Sequence, residues 1–226
     1  ITLHSISFDS FTKIQNFSFL KQLCLECKQV PSVQISEYFS TIFRLKALIT
    51  LRVLGLGISK QALYDFFKNC PFQRIELSEL RVDGGVDIYF DGLQHNTSIQ
   101  TLMITGSPEA AVDAYRVSRQ EIARLRNNKT LRAFQIIIGT DGSDLFSALA
   151  EYSSIKRLKI DSTELLDLTN LDRMRSLEKL ILHLGTYSIK SLLNLIDKLN
   201  IAKVVLWSLD DDEQIAEELI EMLNAV

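Results

Sequence analysis

One arrangement of side chains, apolar-x-x-apolar-x-apolar, recurs nine times along the chain. The copies begin at Leu3, Leu20, Leu51, Phe72, Ile99, Leu131, Ile155, Leu177 and Ile201, in steps of 17, 31, 21, 27, 32, 24, 22 and 24 residues. Apolar residues two apart put their side chains on one side of an extended strand. Between the hexads the apolar period lengthens to about 3.6, which predicts amphipathic helices. These fall at residues 37–47, 60–69, 87–95, 111–126, 144–152, 164–175, 188–199 and 211–224. Ser59, Ser143 and Asp210 stand where an N-cap accepts bonds from the first amides of a helix. Gly84, Gly85, Asp141 and Gly142 mark turns.

Strands that alternate with helices demand a parallel arrangement. A closed barrel or a doubly wound sheet needs a crossover helix on every connection, and the step of 17 residues after Leu3 has no room for one. The chain also lacks a G-x-G-x-x-G or phosphate-loop signature. A solenoid asks only that each unit bury its apolar positions against the next. The expected architecture is one α/β domain over residues 1–226. It is a horseshoe with about nine short parallel strands on the concave face, helices on the convex face and a C-terminal cap helix at 210–226.

The hexads resemble the strand consensus L-x-x-L-x-L of leucine-rich repeat proteins, and the resemblance runs from Leu3 to about Leu206. It departs at the ninth position, where the family carries Asn or Cys. Those places hold Phe11, Lys28, Ser59, Leu80, Ser107, Gly139, Thr163, Gly185 and Leu209. Without a regular amide ladder the likeness is to the irregular, helix-containing cytosolic type found in ribonuclease-inhibitor-like, F-box-associated and immune-receptor-like proteins. It implies a non-catalytic protein-recognition module, an adaptor or substrate-recognition part of a larger polypeptide. Use in F-box-like ubiquitin ligases is favoured, and a ligand-sensing immune receptor or pathogen effector is the alternative. An enzyme of parallel α/β fold is a third reading.

In a repeat of this kind positions 1, 4 and 6 turn inward, and positions 3, 5 and 7 form three columns on the open face of the sheet. The first copy contributes Ser5, Ser7 and Asp9 to these columns, and the third contributes Val53, Gly55 and Gly57. The last strands are the most distinctive. Arg157, Lys159, Lys179 and Lys203 place cations on neighbouring strands, where like charges oppose each other. Beside them Met103, Ile137, Ile181, His183, Val205 and Trp207 add apolar area and one titratable ring. Trp and Arg amid apolar groups are typical interface anchors, so these ten residues form the candidate site for an acidic or phosphorylated partner segment. The plainer alternative is that the cations are solvated and Trp207 packs under a terminal cap.

Composition narrows the class without changing this picture. With 46% hydrophobic and 23% charged residues and a net charge of −3, the chain is neither disordered nor collagen-like. The longest apolar stretch, residues 45–58, is interrupted by Lys46 and Arg52 and is shorter than the roughly 20 residues of a membrane span. No targeting peptide is visible, and the chain reads as a fragment of a larger protein. A second basic cluster at Arg116, Arg119, Arg124, Arg126, Lys129 and Arg132 could meet phosphate groups or an acidic partner, but a solvated helix surface is the favoured reading. The negative total and the lack of interleaved aromatic residues disfavour nucleic acid. The segment from Ile201 holds seven acids and one lysine, as a polar end cap or an acidic docking helix would.

Three cysteines, Cys24, Cys27 and Cys70, cannot all pair, which favours a reducing cytoplasmic or nuclear compartment. Asn-x-Ser/Thr sequences at Asn16, Asn96 and Asn128 argue the other way, since a secreted chain could carry glycans there, although each lies just before a strand candidate, where a polar turn is expected anyway. Cys24 and Cys27 form a lone C-x-x-C with no second pair to complete a zinc site. His4, His95 and His183 lie on different units, and no nucleophile has an elbow context. No metal, cofactor or catalytic group is therefore expected.

Overall fold

The structure, a computed structural model, describes residues 2–4, 13–27, 32–83, 90–105, 119–138, 146, 149–150, 154–162, 170–184 and 203–208. Within them alternating residues set the nine short strands of the large sheet, and a second sheet pairs Gly57–Ile58 with Arg81–Val82 in parallel. The nine are β1 (Thr2–His4), β2 (Gln22–Glu26), β3 (Thr50–Leu54), β4 (Arg74–Ser78), β5 (Thr101–Thr105), β6 (Ala133–Ile138), β7 (Arg157–Ser162), β8 (Lys179–Leu184) and β9 (Lys203–Ser208). All nine pair in parallel, and their order in the sheet is their order in the sequence, with β1 and β9 as the edges. A barrel would join those edges, and a doubly wound sheet would break the sequential order. The α/β architecture is therefore a stack of successive repeats.

Two apolar rungs run through the sheet. Leu23, Leu51, Ile75, Leu102, Phe134, Leu158 and Leu180 are register partners on consecutive strands, and Leu25, Val53, Leu77, Ile104, Ile136, Ile160 and Leu182 form the second rung. All fourteen are buried. Each contributes roughly 1.5–3 kcal/mol relative to exposure.

The register corrects two of the nine copies. Leu51 pairs with Leu23 and Ile75, the fourth positions of their hexads, so the third copy is L-I-T-L-R-V from Leu48. The adjoining steps become 28 and 24 residues in place of 31 and 21. Val53, expected on the open face, is buried, while Leu54, expected inside, is only half-buried. A slip of three is odd and reverses every side chain of the strand. It would turn Arg52 inward, whereas in the observed register Arg52 meets Glu76 on the open face. Leu3 pairs with Leu25, a sixth position, and so does not begin a hexad. Ser5, Ser7 and Asp9 lie outside the described residues.

The helical connections pack on the side of the rungs. α1 (Ser32–Ile42) begins and ends about a turn earlier than expected, and α2 (Lys60–Asn69) matches its sequence signal. The Ser59 side chain caps α2 by accepting from the Ala62 amide at 3.2 Å. α3 (Arg119–Arg124) is the described end of the fourth helix expected, at 111–126. The helices expected at 188–199 and 211–224, and with them the cap at 210–226, lie outside the described residues.

Ahead of β5 and β8 the described residues turn more tightly than expected. Within 87–95 and 164–175 the described residues form only the 3-10 segments Leu93–His95 and Leu171–Arg173. The cause is a spacing of three between buried positions ahead of the strands: Ile42, Leu45 and Leu48; Leu93, Asn96 and Ile99; Leu125, Asn128 and Leu131; Leu171, Met174 and Leu177. All twelve are buried. Three residues per turn put them on one face, and each middle residue donates its amide to the carbonyl three before it, at 2.8–3.1 Å.

An amide ladder does exist, placed before the strands and not after them. Asn96 donates through Nδ2 to the carbonyls of Phe67 and Cys70, both at 2.8 Å, and accepts at Oδ1 from the amides of Ser98 and Ile99. One repeat on, Asn128 donates to Leu93 at 2.7 Å and accepts from Thr130 and Leu131. Beneath them aromatic rings tie repeats together. Ring centroids lie 4.4 Å apart for Phe39 and Phe66, 6.4 Å for Phe67 and Phe90, and 5.8 Å for Phe90 and Phe134, spacings at which such pairs attract.

Candidate functional site

On the side away from the rungs the register builds three columns. The first runs Gln22, Thr50, Arg74, Thr101, Ala133, Arg157, Lys179, Lys203, and the second Cys24, Arg52, Glu76, Met103, Gln135, Lys159, Ile181, Val205. Thr50, Arg52 and Leu54 thus take the places expected for Val53, Gly55 and Gly57. In the third column Ile137, Asp161, His183 and Trp207 are consecutive register partners. Their backbones are placed by the strands, but their side chains lie outside the described set.

Five of the ten expected site residues meet around one hollow of about 170 Å³. Met103, Arg157, Lys159, Lys179 and Ile181 line it, together with Arg74 and Gln135. Its origin is steric. Ala133 is the shortest side chain of the described first column and stands between Thr101 and Arg157, so the longer neighbours rise around it. Lys203 and Val205 continue the same columns on β9, beside Lys179 and Ile181.

The two sides of the hollow differ electrically. Toward β4, Glu76 accepts from Arg74 Nε at 2.6 Å and pairs with Arg52, while Arg74 Nη2 also lies 3.4 Å from the Met103 sulfur. Toward β8, Arg157 faces Lys179, which faces Lys203. Among the described residues none of these three has a carboxylate partner. Four cations and no acid line the hollow, although the whole chain carries −3.

Other candidate features resolve into structure. Arg124 pairs with Asp91 and, at 3.3 Å, with Glu121, and Arg132 donates to the Ser154 carbonyl at 3.3 Å. Those two cations of the second basic cluster are therefore committed internally. Arg116 lies outside the described residues, as do the side chains of Arg119 and Arg126. Burial pushes the thiols of Cys27 and Cys70 up to about 12, with Cys24 and Glu26 adding to the effect at Cys27. Cys24 stands half-buried on the open face. Among the described residues there is no cluster suited to a metal ion and no helix long and apolar enough to cross a membrane.

Sequence reasoning missed Ala133, Gln135 and Arg74 as lining residues, because a column gives direction but no relief. It read Asn96 and Asn128 as glycan acceptors or as polar turns ahead of strands, and not as a bonded ladder. Their shared place, three residues ahead of Ile99 and Leu131, was the available signal for the ladder.

No protein-family model matches the chain, and no curated protein matches it. Among solved structures it is similar to internalin C2 from Listeria monocytogenes, at 20% identity and a TM-score of 0.45, over 76% of this chain and 68% of that one. That score supports no inference about function. The fold rests on strand order and register.

Proposed function

We propose that the chain is a non-catalytic protein-recognition module, a horseshoe of leucine-rich repeats of the irregular cytosolic type, whose inner face binds an acidic or phosphorylated segment of a partner protein. The observation that carries this reading is the hollow over Ala133, which sets the register-paired cations Arg157 and Lys179 beside Met103 and Ile181, with Arg74, held by Glu76, on its far wall. Apolar flanks supply area and the cations supply orientation and encounter rate. Of the adaptor uses implied by the repeat resemblance, we favour a substrate-recognition subunit of an F-box-like ubiquitin ligase.

We further propose a cytoplasmic or nuclear location. Three unpaired thiols support it, as does the loss of two glycan sites, since Asn96 and Asn128 are buried with their side-chain nitrogens already bonded. The test is affinity capture from native extract with the wild-type chain, Lys179→Glu and Trp207→Ala in parallel. A protein retained by the wild type and lost from both variants supports the face. Equal retention by all three removes it from contention.

A further inference from the structure

We propose that the hollow over Ala133 is a phosphate subsite, accepting the phosphoryl group of a phosphorylated residue in an extended protein segment; the inference rests on the reading above and narrows it. The argument begins with a pair. Arg157 and Lys179 are direct register partners on adjacent strands, about 4.8 Å apart in the sheet, and both line the hollow. Like charges so placed repel. One carboxylate offers a single charge to the two of them. A phosphoryl group brings a charge of about −1.5 to −2 and three acceptor oxygens, enough to meet the planar fork of Arg157 and the ammonium of Lys179 together.

The rest of the lining fits the same group. Ala133 leaves the floor low, so the anion can sit between the strands' cations and not above them. Arg74 on the opposite wall is already neutralised by Glu76, which concentrates the attraction at the Arg157 and Lys179 side. Met103 and Ile181 border the hollow in the second column, where they would take apolar side chains flanking the phosphorylated residue.

The test uses the 226-residue chain, immobilised and offered three peptide pools with the same degenerate flanks around a fixed phosphoserine, serine or glutamate. The phosphoserine pool should be retained about tenfold over each of the others. Arg157→Gln and Lys179→Gln should each remove most of that preference while melting like the wild type. Equal retention of the glutamate pool overturns the phosphate subsite and leaves the acidic-segment reading standing. Equal retention of all three pools, or a preference that survives both substitutions, also overturns it. So does binding of phosphatidylserine vesicles or polyuridylate without any phosphoserine preference. The capture experiment with Trp207→Ala fails or succeeds independently of these outcomes.

Discussion

Asn128 donates from its side-chain nitrogen to the backbone carbonyl of Asn96 at 3.0 Å, so each rung of the amide ladder is fastened to the one before it. Both side chains are buried. Each uses both ends of its carboxamide, the donor toward the preceding repeat and the acceptor toward its own strand entry. Removing one leaves several buried backbone groups unpaired.

Asn128→Ala should therefore cost roughly 2–4 kcal/mol, since an unsatisfied buried group costs about 1–3 kcal/mol and more than one is created. Asn16→Ala, at an exposed member of the same sequence class, should change stability by less than about 0.5 kcal/mol. Urea unfolding of the two variants checks the contrast. A small loss for Asn128→Ala would show that the ladder is ornamental.

Lys179→Glu should weaken partner capture and raise stability slightly. It replaces the middle of three opposed cations, Arg157, Lys179 and Lys203, with an attractive neighbour for both. The gain is about 0.5 kcal/mol and should shrink in high salt. A residue that is unfavourable for folding and needed for binding would be explained by selection for the site. Chemical denaturation at low and high salt measures the effect.

Gly92→Ala should destabilise by about 2 kcal/mol or more, as overpacking at a rigid contact does. A Cβ there would collide with the Tyr64 carbonyl oxygen and come within 3.0 Å of the Lys68 amide nitrogen. Both belong to α2 backbone, which cannot yield without moving the helix away. Thermal unfolding of the variant would test it, with Gly57→Ala, where a Cβ meets nothing within 4 Å, as the tolerant control.

The alkaline limb of stability should be steep. Cys27 and Cys70 have thiols raised from 9.0 to about 12 in the folded chain. Deprotonation therefore favours the unfolded chain. Their contribution is fully present below pH 9.0 and is lost as pH rises from 9.0 toward about 12. Cys70→Ala should flatten that limb of a Tm against pH curve. An unchanged slope would contradict the assignment.

Phe66→Ala should cost about 3–5 kcal/mol, because its ring contacts Phe39, Phe43 and Phe67. Phe19→Ser, at a side chain 91% exposed, should be close to neutral. Equilibrium unfolding of both reports whether the aromatic line between repeats carries the stability assigned to it.

Strand identity and direction were legible because period-two alternation is local and the hexads repeat it. Register was less so. Around Leu51 two hexads overlap, from Leu48 and from Leu51, and both satisfy the pattern. Only pairing with Leu23 and Ile75 chooses between them. The described parts of two expected helices, 90–95 and 170–175, form tighter turns for a related reason, since spacings of three and of 3.6 are hard to separate over two turns. At the site, the cations of β7 and β8 were readable from alternation. The depth of the hollow was not, because it depends on Ala133 being short next to Arg157, a comparison between strands 24 residues apart in the sequence.

Sequential strand order has a kinetic consequence. Every ladder bond in the large sheet joins segments only one repeat apart, so no strand waits for a distant end of the chain before it can dock. Assembly can start at any adjacent pair and spread outward by zippering. The same geometry lets the array melt piecemeal from its margins. Hydrogen exchange should be slowest in β4 and β5, where the ladder and the aromatic line coincide, and fastest toward β1 and β9.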